Sequence, residues 1–152
     1  MFNQALTGDN AIALLGQRVK SAPEEVLSLP LMVEPTYPVK DGSPIYLTAD
    51  KKGCTTVQNA TAGFVGVVVL HNIGKSGKSA DGEFYQKGDV VPVMVKGKIW
   101  VEAKDAVSEL TGDVGASEQG QFSTSDTPLK GLRFASPSVG TKNLTIVEIL
   151  GV

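Results

Sequence analysis

Apolar and polar residues alternate with a period of two through residues 88–103. Three valines share one side of residues 91–95, and the alternation resumes at residues 99–103 after a Lys-Gly-Lys segment. Two β-branched runs joined by a short Gly-centred turn are typical of a β-hairpin. An isolated hairpin is marginal in water, so the rest of the chain is expected to cover its apolar face.

The same combination of a turn and an apolar run recurs between residues 39 and 152. A Gly beside an Asp or Ser opens each of three runs, at residues 41–47, 87–93 and 111–116. At such turns Gly accepts positive φ and the short polar side chain bonds the local backbone, so turn chemistry is favoured over a cation site. Further strand-like runs occupy residues 64–70, 99–103, 132–135 and 144–150. The pattern predicts an all-β fold, a small antiparallel β-barrel or sandwich built from short hairpins.

Two polar segments are predicted to be surface excursions. Residues 72–82 are rich in Gly, Ser and Lys and link one strand to the next, which predicts a flexible loop. Residues 117–128 are similarly polar and include a candidate short strand at residues 119–122.

Residues 1–35 differ from the barrel domain predicted for residues 36–152, and they predict an extended N-terminal arm or strap. Asp9 is a candidate cap for a short helix that reaches Val19, although Gly16 weakens it. Prolines then flank residues 24–29, which excludes that segment from a central sheet ladder. Two interpretations stay open: an arm laid along the domain or a neighbour, or a cap on an open barrel end.

Composition limits the classes of function. The chain has 152 residues and a net charge of −2, which indicates one domain and argues against a nucleic-acid partner that needs a basic face. Residues 1–4 do not resemble a secretory signal, and no apolar run is long enough for a membrane span, so a soluble protein made in a cytoplasm is expected. Cys54 is the only cysteine and is expected to be a packed small residue.

No motif predicts catalysis. Residues 74–79 lack the Gly spacing of a phosphate-binding loop, and residues 96–98 lack the neighbours of a lipoyl or biotinyl lysine. His71 is the only histidine, which leaves no His-based metal cluster, and it is expected to bond backbone at a strand end. Trp100 is expected in the core or at a subunit interface. Hydrolysis by a pair of carboxylates stays open, because any two of the sixteen acidic residues could meet in space, but no pair is singled out. No cofactor and no metal site are predicted.

Several segments, taken in order, resemble the structural cement, or head decoration, proteins of tailed bacteriophages. They are residues 2–4, 63–68, 88–94, 98–102, 112–114, 131–134 and 144–150. The resemblance covers most of residues 39–152 and the first few residues. It implies a non-enzymatic β-rich virion protein, made in the bacterial host cytoplasm, that binds the outer capsid surface and bridges neighbouring major capsid subunits.

The resemblance implies the major capsid protein as the binding partner and leaves self-association on the capsid surface open. Neither a nucleic acid nor a membrane is expected as a partner. The arm is predicted to make the capsid or neighbour contact through apolar anchors that order on binding. These anchors are Phe2, Leu6, Ile12, Leu14 and Leu15. Residues 72–82 are a second candidate contact. Two alternatives remain: a receptor- or glycan-binding β-module of a phage particle, and a small β-barrel enzyme with scattered acidic residues.

Overall fold

The computed structural model describes residues 13–19, 23–58, 63–80, 82–108, 110 and 112–150. These residues contain twelve strands and no helix, which confirms the all-β prediction. The strands are β1 Arg18–Val19, β2 Glu25–Pro30, β3 Pro44–Leu47, β4 Cys54–Thr55, β5 Phe64–Val68, β6 Gly77–Ser79, β7 Gly82–Phe84, β8 Val90–Glu102, β9 Asp113–Ala116, β10 Phe122–Ser123, β11 Pro128–Phe134 and β12 Leu144–Ile149. No helix within the described ranges is long and apolar enough to cross a membrane.

β8 is one continuous strand of 13 residues, so the predicted hairpin over residues 88–103 is wrong. Gly97 does have a positive φ of 130°, but it bends a strand and does not reverse it. The strand stays continuous because of its pairing partners. β2 and β12 meet end to end along one edge of β8, where Glu25 pairs with Lys96 and Ile149 pairs with Gly97. A register shift beside Lys96 adds a β-bulge at the same place.

β8 organises a ten-stranded antiparallel sheet in the order β10-β9-β11-β12-β8-β5-β3-β4, with β1 and β2 also paired to β8. The sheet curls into a half-barrel. Isolated parallel bridges join distant parts of the curled sheet, one between Leu31 and Cys54 and one between Ala103 and Phe122. The curvature encloses apolar side chains on both sides of β8.

Two buried clusters contact β8. Val91, Val93 and Val95 belong to the first cluster, whereas Met94, which lies between them in sequence, joins Ile99 and Val101 in the second. The first cluster also contains Leu31, Val39, Ile45, Cys54, Val65, Val68 and Tyr85. The second contains, among others, Val114, Phe122, Leu129, Leu132, Phe134, Val147 and Ile149. The alternation seen in the sequence is therefore real: in the first half of β8, neighbouring residues such as Val93 and Met94 belong to different clusters.

The predicted helix that ends at Val19 is wrong for the described residues 13–19. Gly16 has φ +78° and its N–H donates to the Trp100 carbonyl at 2.8 Å. Its carbonyl accepts from the Leu70 N–H at 2.8 Å, so Gly16 joins β8 to the segment after β5. These bonds to distant strands replace those of a local helix. Asp9, the proposed cap, lies outside the described residues.

Local alternation predicted the closing strand correctly. β12 spans Leu144–Ile149, with Thr145, Val147 and Ile149 among its buried residues. The predicted surface excursion at residues 72–82 instead contains β6 and ends at β7, and these two strands form a separate two-stranded sheet. The short strand expected at residues 119–122 is β10, which begins at Phe122.

Candidate interaction surfaces

β2 is an edge strand, paired with β8 along one side. Its register places Val26 opposite Met94 and Ser28 opposite Pro92. The Pro92 carbonyl accepts from the Val69 N–H at 3.0 Å, on the side of β8 away from β2. Since opposed residues in such a pair direct their backbone groups away from each other, the groups of Ser28 point away from β8. The prediction that residues 24–29 avoid a central ladder is consistent with this edge position.

Both faces of β2 are open to solvent. Val26 and Leu27 project to opposite faces of the strand, because successive side chains alternate, and their exposed fractions are 37% and 42%. Only Leu29 and Pro30 are half-buried. The exposed apolar surface continues past the strand to Met32 and Val33, and to Val90 beside Pro30. These exposed apolar residues make the edge of β2 a candidate interaction surface.

A second surface is a cleft of about 650 Å³ beside Gly16, which we call the arm-base cleft. Its apolar wall consists of Leu14, Leu15, Leu70, Val139 and Leu144. Its polar and charged lining includes Lys40, Asp41, His71, Asn72, Lys75, Glu83 and Lys142. The mixed lining suits a protein side chain or peptide segment better than a purely apolar ligand.

An ion pair between Lys75 and Asp41 holds the cleft together. Lys75 Nζ lies 3.1 Å from Asp41 Oδ1, with side-chain exposures of 8% and 19%. Nζ also donates to the His71 carbonyl and lies 5.4 Å from the centre of the Tyr85 ring. The pair links the β6–β7 segment to the turn before β3.

Tyr85 is fully buried below this ion pair, and its hydroxyl has no hydrogen-bond partner among the described residues. Burial, together with the charges of Asp41 and Asp89, raises the pKa of Tyr85 to about 12. The phenol is therefore neutral, and its ring serves as a platform for the Lys75 ammonium group.

Asp89 fixes the start of the β6–β7 segment. Partial burial opposes ionisation of Asp89, but hydrogen bonds from Gln86 N at 2.8 Å, Ser76 Oγ at 2.7 Å and Ser76 N at 3.1 Å outweigh it and lower the pKa of its carboxyl group. Lys75 and Ser76 are thus both anchored. The segment predicted as a flexible loop is tied to the domain at its first turn.

The structure describes two of the five predicted anchors. Leu14 is 60% exposed, Leu15 is half-buried, and both line the arm-base cleft. Phe2, Leu6 and Ile12 lie outside the described residues. Apart from its prolines and glutamates, no sequence signal indicates the exposed edge of β2, and none indicates the pair between Lys75 and Asp41.

The other residues singled out in the sequence have surroundings that indicate a structural role. His71 is exposed and its Nδ1 lies 2.9 Å from the Ile73 carbonyl oxygen, as expected for a strand-end histidine. Cys54 is fully buried, and burial raises the pKa of its thiol to about 12, which confirms a packed residue. Trp100 is half-buried on β8. Across the described ranges, no three His, Cys, Asp or Glu residues are grouped to hold a metal ion.

Comparison with known proteins identifies the family. The family model described as "Structural cement protein (E217 gp24/Pam3 gp6)" matches residues 2–150. The chain belongs to this family. The resemblance found in the sequence is thereby confirmed, and this structural cement protein is a phage structural protein.

A solved structure supports the fold of this cement-family protein. A chain in the structure of the capsid of Myoviridae phage XM1 superposes with a TM-score of 0.63 at 16% identity, over 90% of this chain and 89% of that chain. At this identity the likeness establishes the fold. No curated protein matches the sequence.

Proposed function

We propose that this protein binds the outer surface of a tailed-phage capsid, contacts the major capsid protein and cements neighbouring capsid subunits. It acts as a structural component of the virion, without catalysis, after synthesis in the host cytoplasm. The observation that carries the proposal is the match to the structural cement family over residues 2–150. The fold shared with a chain of a phage capsid structure supports it.

The physical basis is linkage. A ligand that binds the assembled shell, and not its separated subunits, stabilises the shell by mass action. Many equivalent sites then multiply a modest energy per site across the lattice. A cement protein therefore needs no tight individual contact, only exposed surfaces that fit two neighbouring subunits.

The arm supplies one such surface. Phe2, Leu6, Ile12, Leu14 and Leu15 are the proposed apolar anchors, and Leu14 is the one whose exposure the structure describes most clearly, at 60%. It lies at the rim of the arm-base cleft, where burial of its side chain against a capsid subunit would contribute up to about 2 kcal/mol.

Reconstitution on purified heads tests the proposal. Heads that lack the protein are mixed with wild-type protein, with Leu14→Asp and with a control, Leu110→Asp, whose parent residue is 52% exposed. We expect wild type and the control to sediment with heads and raise their disruption temperature, and Leu14→Asp to bind at least about tenfold more weakly.

Failure of wild type to bind heads would overturn the proposed function. Saturable binding to host cells or to a glycan array, without binding to heads, would favour the receptor-binding alternative. Equal binding by Leu14→Asp and wild type would reject Leu14 as an anchor and leave cementing intact.

A further inference from the structure

The arm-base cleft leaves apolar side chains uncovered. On its walls Leu14 is 60% exposed and Val139 is 38% exposed, and Leu15 and Leu70 are half-buried beside them. Its volume of about 650 Å³ lies within the range of sites that enclose a drug-sized ligand. The cleft is therefore large enough to take up a few apolar side chains of a peptide segment, and their burial would remove the exposed apolar walls from water.

The charge left over at the cleft is positive. The pair of Lys75 and Asp41 is neutral overall. Of the remaining lysines and acids in the lining, Lys40 and Lys142 are basic and Glu83 is acidic. Within the part of the chain that the structure describes, neither of these two lysines has an ion-pair partner. A segment that carries apolar side chains and one negative charge is therefore the complementary occupant.

Lys142 is better placed than Lys40 to bind an acid. It lies in a turn that is closed by two hydrogen bonds between Val139 and Leu144, of 2.8 and 2.9 Å, so its backbone is held at the cleft. No acidic residue occurs within three positions of Lys142 in the sequence, whereas Lys40 adjoins Asp41. A carboxylate is thus attracted to Lys142 without repulsion from an acid beside it in the chain.

We propose that residues 6–12 of the same chain occupy the arm-base cleft in the free protein, with Asp9 paired to Lys142. The composition of the segment matches the cleft. Leu6 and Ile12 supply large apolar side chains, and Asp9 is the only charged side chain in the segment. The segment and the cleft are thus complementary both in apolar character and in charge.

The covalent connection selects this segment over other occupants. Ala13 lines the cleft, so the segment that precedes it is attached at the cleft wall. Four extended residues span at most about 14 Å, so Asp9 cannot lie farther than that from Ala13. A tether this short gives an effective concentration in the millimolar range, which a second copy or a capsid segment does not reach in dilute solution.

This closed arrangement goes beyond cementing, because it describes the protein before it meets a capsid. It covers Leu14 and keeps the apolar side chains of the segment away from other copies. On a capsid the same side chains leave the cleft and contact a subunit, and that step alone rests on the proposed function. The apparent dissociation constant for heads then exceeds the intrinsic one by the inverse of the open fraction.

Paramagnetic relaxation enhancement in the whole chain measures where the segment lies. A nitroxide label is attached at Ala5→Cys, and the native Cys54 is fully buried, so the introduced cysteine is the accessible thiol. We expect the label to broaden the amide resonances of Val139 and Lys142. It should not broaden that of Val26, since β2 pairs with the half of β8 that is remote from the cleft.

A mixed sample distinguishes the same chain from a second copy. Nitroxide-labelled protein without the NMR isotope is mixed with isotope-enriched protein that carries no nitroxide. Broadening at Val139 and Lys142 can then come only from the arm of another molecule. We expect none in the mixture, because the tethered segment of each chain already fills its own cleft.

A charge exchange tests the pair of Asp9 and Lys142. Asp9→Lys brings two cations together, and we expect the ratio of closed to open arms to fall by about tenfold. Adding Lys142→Asp restores the attraction, so the ratio should return to near the wild-type value. Glu34→Lys makes the same change of charge at an exposed residue outside the cleft lining and should leave the ratio unchanged. The denaturant midpoint of each variant verifies folding.

Any of three results would overturn the closed arrangement. The first is the absence of broadening at Val139 and Lys142 in the labelled chain, and the second is equally strong broadening in the mixed sample. The third is an exchange variant that is no more closed than Asp9→Lys. All are read in solution without capsids, so failure of closure is distinguishable from failure to bind heads.

Discussion

Lys75 and Asp41 form an ion pair across 34 residues of sequence, with Nζ 3.1 Å from Oδ1. The Lys75 side chain is 8% exposed, so it has little water to replace a lost partner. The pair fastens the β6–β7 segment to the turn before β3 and so shapes the wall of the arm-base cleft.

Asp41→Asn is expected to lower the free energy of unfolding by about 2 kcal/mol, less than for a fully buried pair, because Asp41 retains some solvent contact. Urea denaturation measures the change. Arg18→Met is the matched control: it breaks the pair with Glu24, whose members are 44% and 31% exposed, and should cost less than about 1 kcal/mol. Equal losses in the free energy of unfolding would show that burial does not make the Lys75–Asp41 pair more stabilising than the exposed Arg18–Glu24 pair.

Gly16→Ala is expected to destabilise the protein by about 3 kcal/mol. Gly16 has φ +78°, and an added Cβ would lie 2.8 Å from the Leu70 nitrogen, so strain and collision act together. Gly88→Ala provides the comparison, because Gly88 has φ +99° with nothing within 4 Å of an added Cβ, and should cost about 1 kcal/mol. Thermal unfolding compares the two variants. A Gly16 variant no less stable than the Gly88 variant would contradict the close approach of Gly16 to the Leu70 nitrogen.

Stability should fall at acid pH partly through Asp89. Its pKa in the folded protein is lowered, so its contribution is complete above the unfolded value of about 3.9 and is lost as the pH falls through the folded pKa. Asp89→Asn should be less stable at neutral pH and should lose less stability between about pH 5 and pH 2.

Denaturant titrations over that pH range measure the slope. Asp105→Asn, at an exposed residue, is the control and should keep the wild-type acid dependence. An Asp89 variant whose stability fell as steeply as that of wild type would show that the bonds from Gln86 and Ser76 do not stabilise the ionised carboxyl group.

The Cys54 thiol should be unreactive in the folded protein. It is fully buried, and burial raises its pKa to about 12, so almost no thiolate is present at neutral pH. Ellman's reagent should label no thiol under native conditions and one per chain in denaturant. Rapid labelling of native protein would mean that the strands around Cys54 open readily.

The features that the sequence predicts correctly are those that depend on residues close together in the chain. Alternation predicts β12, an apolar run predicts β5, and a Gly beside Asp or Ser predicts the turns before β3 and β9, since all these signals are local. β8 was misread because a Gly between two lysines can reverse a chain or bend a strand. The strands that pair with β8 determine which of the two occurs, and their residues Glu25 and Ile149 lie far from Gly97 in sequence.

The candidate surfaces were less predictable. Leu14 and Leu15 were selected as apolar residues in an arm, but the cleft beside them depends on Lys75 and Asp41, which no motif connects. The open edge of β2 depends on which side of β8 it occupies. Prolines excluded a central position, yet only the register shows that Val26 and Ser28 face outwards.

The most direct test of the cementing role is electron cryomicroscopy of intact phage particles that carry this protein. We expect density for the half-barrel on the outer capsid surface, with each bound assembly in contact with at least two neighbouring major capsid subunits. Particles whose outer surface shows no copies of the protein, or copies that each touch a single subunit, would contradict a cementing role.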